Sequence, residues 1–435
     1  MTKHKFNIDN KPKIRFAIVG AGISGLTAAM LLSKKHKVTL YEANNYLGGH
    51  ALTLSEKILV NNNFKNLCFD VGFLVYNNKN YPFFSKLLKI LKVANIESNM
   101  SFSVSNKTNN FEYGSNGILS STNNFKNIFK IKFWILIKEI KRFYKVSNNI
   151  LDCDKSNCHK SVSTFLKIHK FNKVFINEHF LPMCGAIWSI PFDKVLKMPI
   201  NTILVFFQNH GLLSFFGKPQ WRTILGGSKN YVYALSKKIN GNIYLNEKVI
   251  SVRRKENSII IKSKSFVKKF DKVIFATHPD DTLKLIENPS YLESKILSLC
   301  KYETNHILVH QDIKFMPKRK KSWSSWNVIN NDILNNQNIC VTYWINKLQN
   351  IKSDKPILVT LNADINDLPS SKNIIKKIVF RHPILNADYT EAKKQVDAIQ
   401  GIKNIYFTGA WLGYGFHEDG VKSAIIIAKK YNAEL

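Results

Sequence analysis

Apolar positions fall first into a short run, "IRFAIVG" (residues 14–20), then into "AGISGLTAAMLLSKK" and then into a second run, "KVTLYE". A brief apolar run with β-branched residues, closed by a glycine, predicts a strand, and apolar residues at helical spacing among good helix formers predict a helix. The chain therefore opens strand–helix–strand. Farther on, "KVISVRRKENSIIIKSKSFVKKFDKVIFATH" predicts a meander of short strands ending on an apolar strand over residues 272–277. The closing stretch returns to the first theme, with "NIYFTGA" as a strand and "DGVKSAIIIAKKYNAEL" as a helix.

Three separated segments thus read as one nucleotide-binding domain, residues 1–60, 219–278 and 401–435. The insertions between them, 61–218 and 279–400, read as a substrate or cap domain. The first insertion is rich in helical patterns, such as "FKNIFKIKFWILIKEIKRFYKV", and the second mixes strands such as "ICVTYWIN" with polar loops. The expected fold class is α/β, a Rossmann-like domain assembled from discontinuous segments with an inserted α+β substrate domain.

"GAGISG" places Gly20, Gly22 and Gly25 in GxGxxG spacing directly after a strand and at the opening of a helix. The first glycine permits the turn, the second admits backbone to a pyrophosphate and the third allows close helix packing, while Ser24 lies in the same phosphate-facing turn. Glu42 ends the second strand, where a carboxylate accepts hydrogen bonds from an adenosine ribose and disfavours a 2′-phosphate. A dinucleotide other than NADP is expected. A second glycine pair, Gly48 and Gly49, follows at short range and is succeeded by His50.

The chain has 435 residues, 45% of them hydrophobic, which suffices for one large core or two moderate ones. Its formal net charge is +34. Part of that is attributable to a Lys-, Asn- and Ile-rich composition, and the remainder favours an anionic partner such as a membrane surface. No basic zipper, zinc finger or RNA-binding signature accompanies the charge, so nucleic acid is not expected. The cysteines form no CxxC pair, and "CDKSNCH" (residues 153–159) lacks a second ligand pair at matching spacing, so no metal site is expected. The N-terminus has no apolar signal region, and no uncharged apolar run reaches about 18 residues. A cytoplasmic protein is expected, peripheral at the inner face of the membrane if the basic amphipathic helix candidate Phe125–Val146 lies in the lipid interface.

The GxGxxG, Glu42 and Gly-Gly elements together resemble the opening of the flavin-dependent amine oxidase superfamily, which implies FAD. His50 stands where that superfamily usually has Arg beside the pyrophosphate, and a covalent histidyl flavin link is one reading of it. "FDVGF" (Asp70, Gly72) resembles the strand after the Gly-Gly loop, "LNEKVISV" the segment whose backbone at Val249 meets the adenine, and "VIFATHP" the strand that closes the nucleotide domain. "GFLVYN", "AIWS", "NHGLL", "QWRTILGGS", "ATHPD", "SWSSWN", "TYWINKLQ", "RHPI" and "GYGFHEDG" resemble a bacterial amine-oxidase-like NAD(P)/FAD-dependent oxidoreductase branch. That branch occurs beside methyltransferases of the cyclopropane-fatty-acid synthase type, which implies a lipid acyl chain as substrate and such an enzyme as partner.

The resemblance also assigns the end of the chain. "FTGA" matches a turn at Gly409 beside the flavin, and "HEDGVKSAIII" matches a helix whose N-terminus faces the flavin pyrimidine, where it stabilises the charge of the reduced ring. Asp419 suits the N-cap. His417, Glu418 and Asp419 read either as caps and cofactor contacts or, for His417 and Glu418, as groups that handle protons in catalysis. His210 reads as a core histidine or an alternative base. Trp188, Ser189, Trp221, Arg222, Trp323 and Trp326 fall in stretches resembling those that cover the flavin. The expected function is oxidation or desaturation of a membrane-lipid acyl chain. The alternatives are oxidation of a small amine, with Trp411 and Tyr414 serving as its cage, or non-redox presentation of lipid to a methyltransferase.

Overall fold

The computed structural model describes residues 12–106, 110–114, 130–152, 160–188, 190–214, 217, 219–330 and 340–435. The chain divides into two compact units, Met1–Gly49 with Val232–Ser298 and Lys393–Leu435, and His50–Tyr231 with Leu299–Ala392. These breaks fall elsewhere than 60, 219, 278 and 401. Strands Thr53–Val60 and Asn63–Asp70 pair with each other inside the second unit. Helices Pro279–Leu285 and Tyr291–Ser298 stay with the first unit because Glu287 N–H donates to the Val252 carbonyl and Arg254 pairs with Glu293. Lys393 stays there too, its Nζ 4.5 Å from the Tyr414 ring centroid.

In the first unit, β1 (Arg15–Val19), β2 (Lys37–Tyr41), β3 (Gly241–Tyr244), β4 (Lys272–Phe275) and β5 (Ile405–Phe407) form a parallel sheet in the order β3-β2-β1-β4-β5. Both faces of β1 are covered, its side chains from Phe16 to Val19 being buried in succession, which is why it reads as a continuous apolar run rather than an alternating one. Phe16, Ala17 and Ile18 are wholly buried. Helix α1 (Ile23–Leu32) is buried at all ten positions, as a helix apolar on every face must be. Helix α2 (His417–Lys429) packs on α1 through Gly420, whose added Cβ would stand 3.0 Å from Ile23 Cγ2 and 3.6 Å from Ser24 Cβ. The expected meander is an antiparallel sheet of Val249–Lys255, Ser258–Ser263 and Val267–Phe270.

The second unit is built on a seven-stranded sheet whose order runs Ile374–Pro383, Tyr302–His310, Leu358–Leu361, Cys340–Trp344, Trp326–Asn330, Phe102–Asn106 and Phe111–Gly114. One junction, Phe102–Asn106 with Trp326–Asn330, is parallel, and the rest are antiparallel. A long helix, Ile131–Asp152, buries Phe133, Leu136, Ile140 and Phe143 on one side. Phe143 meets the rings of Phe165, Phe171, Phe175, Phe180 and Phe207, with centroids 5.2 to 6.3 Å away. Of the helix expected over Phe125–Val146, residues 125–129 lie outside the described residues, and the helix continues six positions past Val146. "CDKSNCH" and Ser189 also lie outside them. Among the described residues no helix is long and apolar enough to cross a membrane.

Candidate functional site

The glycines of the opening turn have separate duties. Gly20 has φ +100, and a Cβ there would press to 2.9 Å from the Ala276 carbonyl oxygen. At Gly25 a Cβ would lie 1.9 Å from the Gly20 oxygen, so this glycine lets α1 close onto the turn that precedes it. Gly22, the N-cap of α1, is different, because nothing lies within 4 Å of where a Cβ would stand. Its face opens on free space beside the orphan N–H groups of the first helical turn, which carries the buried Ser24. The Gly-Gly loop closes the other wall. Gly48 N–H donates to the Ala21 carbonyl at 2.9 Å, and a Cβ on Gly49 would stand 3.3 Å from Gly22 Cα.

Glu42 follows β2 and is 7% exposed. One carboxylate oxygen accepts from Ala21 N–H at 2.9 Å, and the other accepts from the Asn44 backbone at 2.9 Å and its side chain at 2.8 Å. A carboxylate offers about four acceptor sites, so Glu42 both braces the glycine turn and keeps capacity for a ribose hydroxyl. Val249, buried, opens the adjoining antiparallel sheet, and Glu247 N–H donates to the Glu42 carbonyl.

At the chain's end the turn at Gly409 is fastened from behind. Ser423, in the second turn of α2, bonds to Thr408 Oγ1 at 2.8 Å and accepts from Gly409 N–H at 3.0 Å. Sequence reasoning does not find Ser423, because its partners lie a whole loop away and no local pattern marks it. Asp419 is not the N-cap. That position is the extended Phe416, and His417, Glu418 and Asp419 are the first three helical residues. The Asp419 carboxylate reaches back to accept from Tyr414 N–H at 2.9 Å and Phe416 N–H at 3.0 Å, and burial raises its pKa despite those bonds. Gly420 sets the first turns of α1 and α2 side by side. Two positive helix ends together favour a ligand with several negative charges.

In the second unit His50 Nε2–H donates to the Arg381 carbonyl at 3.2 Å, with its ring on Phe380. Burial lowers its pKa and so favours the neutral ring, where an arginine would keep a permanent charge. His210 caps helix Ile200–Asn209, its Nδ1 2.8 Å from the Phe206 carbonyl and its ring stacked on Phe206 and Trp221. Burial brings its pKa down to about 4, and it is neutral at pH 7. Trp188 is buried against Phe206 and Phe207, Arg222 donates to Asn95 at 2.7 Å, and Trp323 donates to the Pro317 carbonyl. Trp326 packs on Tyr343.

Asp70 stands out in the sequence only as part of a family-like stretch, yet it organises the second unit's glycine loops. Wholly buried, it accepts from Thr53 Oγ1, Ser228 N–H, Ser228 Oγ and Gln349 Nε2. Desolvation still pushes its pKa up to about 6, above the unfolded value of about 3.9. The folded protein therefore takes up a proton that the unfolded chain does not, and this group adds stability as pH falls from about 6 toward 4. Urea unfolding of wild type minus Asp70→Asn should show that gain between pH 7 and pH 5. A difference that is flat with pH would mean Asp70 ionises normally.

The flavin containing amine oxidoreductase family matches residues 23–379. By sequence, 90 residues are 32% identical to zeta-carotene desaturase of Capsicum annuum, covering 20% of this chain and 13% of the desaturase. The chain thus spans a small part of the curated relatives it matches. By fold, it resembles the CLA-producing fatty acid isomerase from P. acnes, with a TM-score of 0.69 and 12% identity over 96% of this chain and 98% of the isomerase. Putrescine oxidase (TM-score 0.67, 13% identity, 96% and 99% covered) and cyclohexylamine oxidase from Brevibacterium oxydans (0.65, 13%, 97% and 100%) share the architecture. An open glycine cradle, a ribose-competent Glu42 and two converging helix ends fit the adenosine and pyrophosphate of a flavin dinucleotide. The chain belongs to the flavin containing amine oxidoreductase family, whose members are FAD-dependent oxidoreductases, and its cofactor is FAD.

Proposed function

We propose that this protein oxidises or desaturates an acyl chain of a membrane lipid. Two likenesses support a long carbon chain, the fold of a fatty acid isomerase across 96% of this chain and the local match to a carotene desaturase. The observation that carries the choice is at Tyr414, one of the two aromatic residues available for an amine cage. Lys393 Nζ stands 4.5 Å from its ring centroid, so an ammonium substrate there would meet a resident cation. A desaturation removes a hydride and a proton from adjacent carbons, and the bound flavin supplies the hydride acceptor. Gly22, Ser24, the α1 N-terminus, Glu42 and the Gly48–Gly49 loop hold the cofactor. His417 or Glu418 takes the proton.

The second reading, oxidation of a small amine, is favoured by the putrescine and cyclohexylamine oxidase folds. A third is lipid presentation without turnover to a methyltransferase of the cyclopropane-fatty-acid synthase type, which in the leading reading is a cytoplasmic partner in the same lipid's processing. Anaerobic mixing separates them. An unsaturated phospholipid is expected to bleach the flavin absorbance, which air or an added acceptor restores. Bleaching by putrescine alone would replace the acyl-chain reading with the amine one, and bleaching by neither would leave presentation.

A further inference from the structure

The helix Ile131–Asp152 has a second face that the redox chemistry does not use. Its exposed positions, Ile131, Trp134, Lys138, Lys141, Lys145, Asn149 and Asp152, recur every three or four residues and so share one side. Ile131 is 79% exposed and Trp134 56% exposed, at the helix's N-terminal end, and the lysines continue the stripe. Arg142, beside the stripe, donates to the carbonyls of His169 and Lys170, which extends the surface onto residues 160–173. There Lys160, Lys167, Lys170 and Lys173 are exposed with no acidic residue among them, and Ile168 is 52% exposed. The helix itself carries five cations against Glu139 and Asp152; Arg142 is paired with Glu139 and Lys132 with Glu178, and Lys138, Lys141 and Lys145 form the stripe.

We infer that this surface docks the protein on an anionic phospholipid bilayer, with Trp134, Ile131 and Ile168 entering the headgroup boundary and the lysines held at the phosphate level. Aliphatic side chains have no ring face on which to stack a base, but they gain by burial at the edge of hydrocarbon. Tryptophan prefers that boundary, and lysine suits a diffuse negative surface better than a bidentate grip. The basic stripe supplies attraction that falls off within about 10 Å at moderate salt, and the apolar tip supplies the part that salt does not screen. The surface stands apart from the acyl-chain reading, because attachment to a bilayer does not require turnover.

Sedimentation with saturated dimyristoyl phosphatidylglycerol vesicles tests it without offering an unsaturated chain. Binding is expected to these vesicles and not to dimyristoyl phosphatidylcholine, and to weaken as salt is raised. The triple variant Lys138→Gln, Lys141→Gln, Lys145→Gln should bind about a hundredfold more weakly, and Trp134→Ser about tenfold more weakly. Both should retain flavin and wild-type thermal melting, since these side chains are exposed. Equal binding to neutral vesicles, no binding at low salt, or a triple variant that binds like wild type would overturn the inference. So would a triple variant that loses affinity for an oligonucleotide while its vesicle binding is unchanged. Flavin bleaching by lipid is read separately, so either proposal fails without the other.

Discussion

Gly22→Val is expected to give a folded, colourless protein. The N-cap backbone at Gly22 is extended, with φ −70 and ψ −178, so a valine meets no conformational penalty, and no atom lies within 4 Å of where its Cβ would sit. The new side chain fills the space in front of the first-turn N–H groups. Loss of two charge-assisted bonds to a pyrophosphate, at about 1.5–3 kcal/mol each, lowers FAD affinity by about a hundredfold or more. Gly25→Val makes the contrast, since its Cβ would collide with the Gly20 carbonyl and the variant should fail to fold. Flavin absorbance after gel filtration and thermal melting of the flavin-free protein report the two effects independently. A yellow Gly22→Val protein would place the pyrophosphate elsewhere.

For acyl-chain oxidation, His417→Ala and Glu418→Gln should each slow anaerobic flavin reduction by about a hundredfold while FAD stays bound. The start of α2 allows the catalytic and the structural role to be tested at different residues. Asp419 is the side chain that accepts from Tyr414 N–H and Phe416 N–H, and so fastens the loop to the helix. Asp419→Ala is the control and should lower stability by about 1 kcal/mol through the lost bonds. Stopped-flow reduction at saturating phospholipid is the measurement. Wild-type rates in both variants would reduce His417 and Glu418 to cofactor contacts and send the search for a base to His210, which burial already keeps neutral.

The nucleotide-binding unit was legible because its signals are local. A short apolar run, a glycine turn and a helix follow one another within residues 14–35, and the antiparallel meander at 249–270 announces itself by length and spacing. Glu42 could be placed by its distance from the glycines alone. The start of α2 could not, because His417, Glu418 and Asp419 all suit a first turn, and only the extended backbone of Phe416 decides which of them comes third. Ser423, and the role of Asp70 within its family-like stretch, were hidden for another reason. Each acts through partners brought near by folding, and neither their spacing nor their residue type distinguishes them from ordinary surface positions. The seven-stranded sheet joins Phe102–Asn106 to Trp326–Asn330, a pairing no local pattern states.

The strand order of the first unit bears on how the protein is made. β1 is synthesised ahead of the second unit, but its neighbour β4 arrives only with Lys272, and the edge strand β5 and helix α2 only from Ile405 onward. The whole second unit emerges from the ribosome between β1 and Ile405. Contacts so distant along the chain form slowly, and until they form, the wholly buried residues of β1 and α1 are exposed apolar surface. The nascent chain therefore carries that surface over the interval, and a polypeptide interrupted before α2 would lack one of the two helix ends set side by side at Gly420. Cofactor retention in this architecture doubles as a check that translation passed α2.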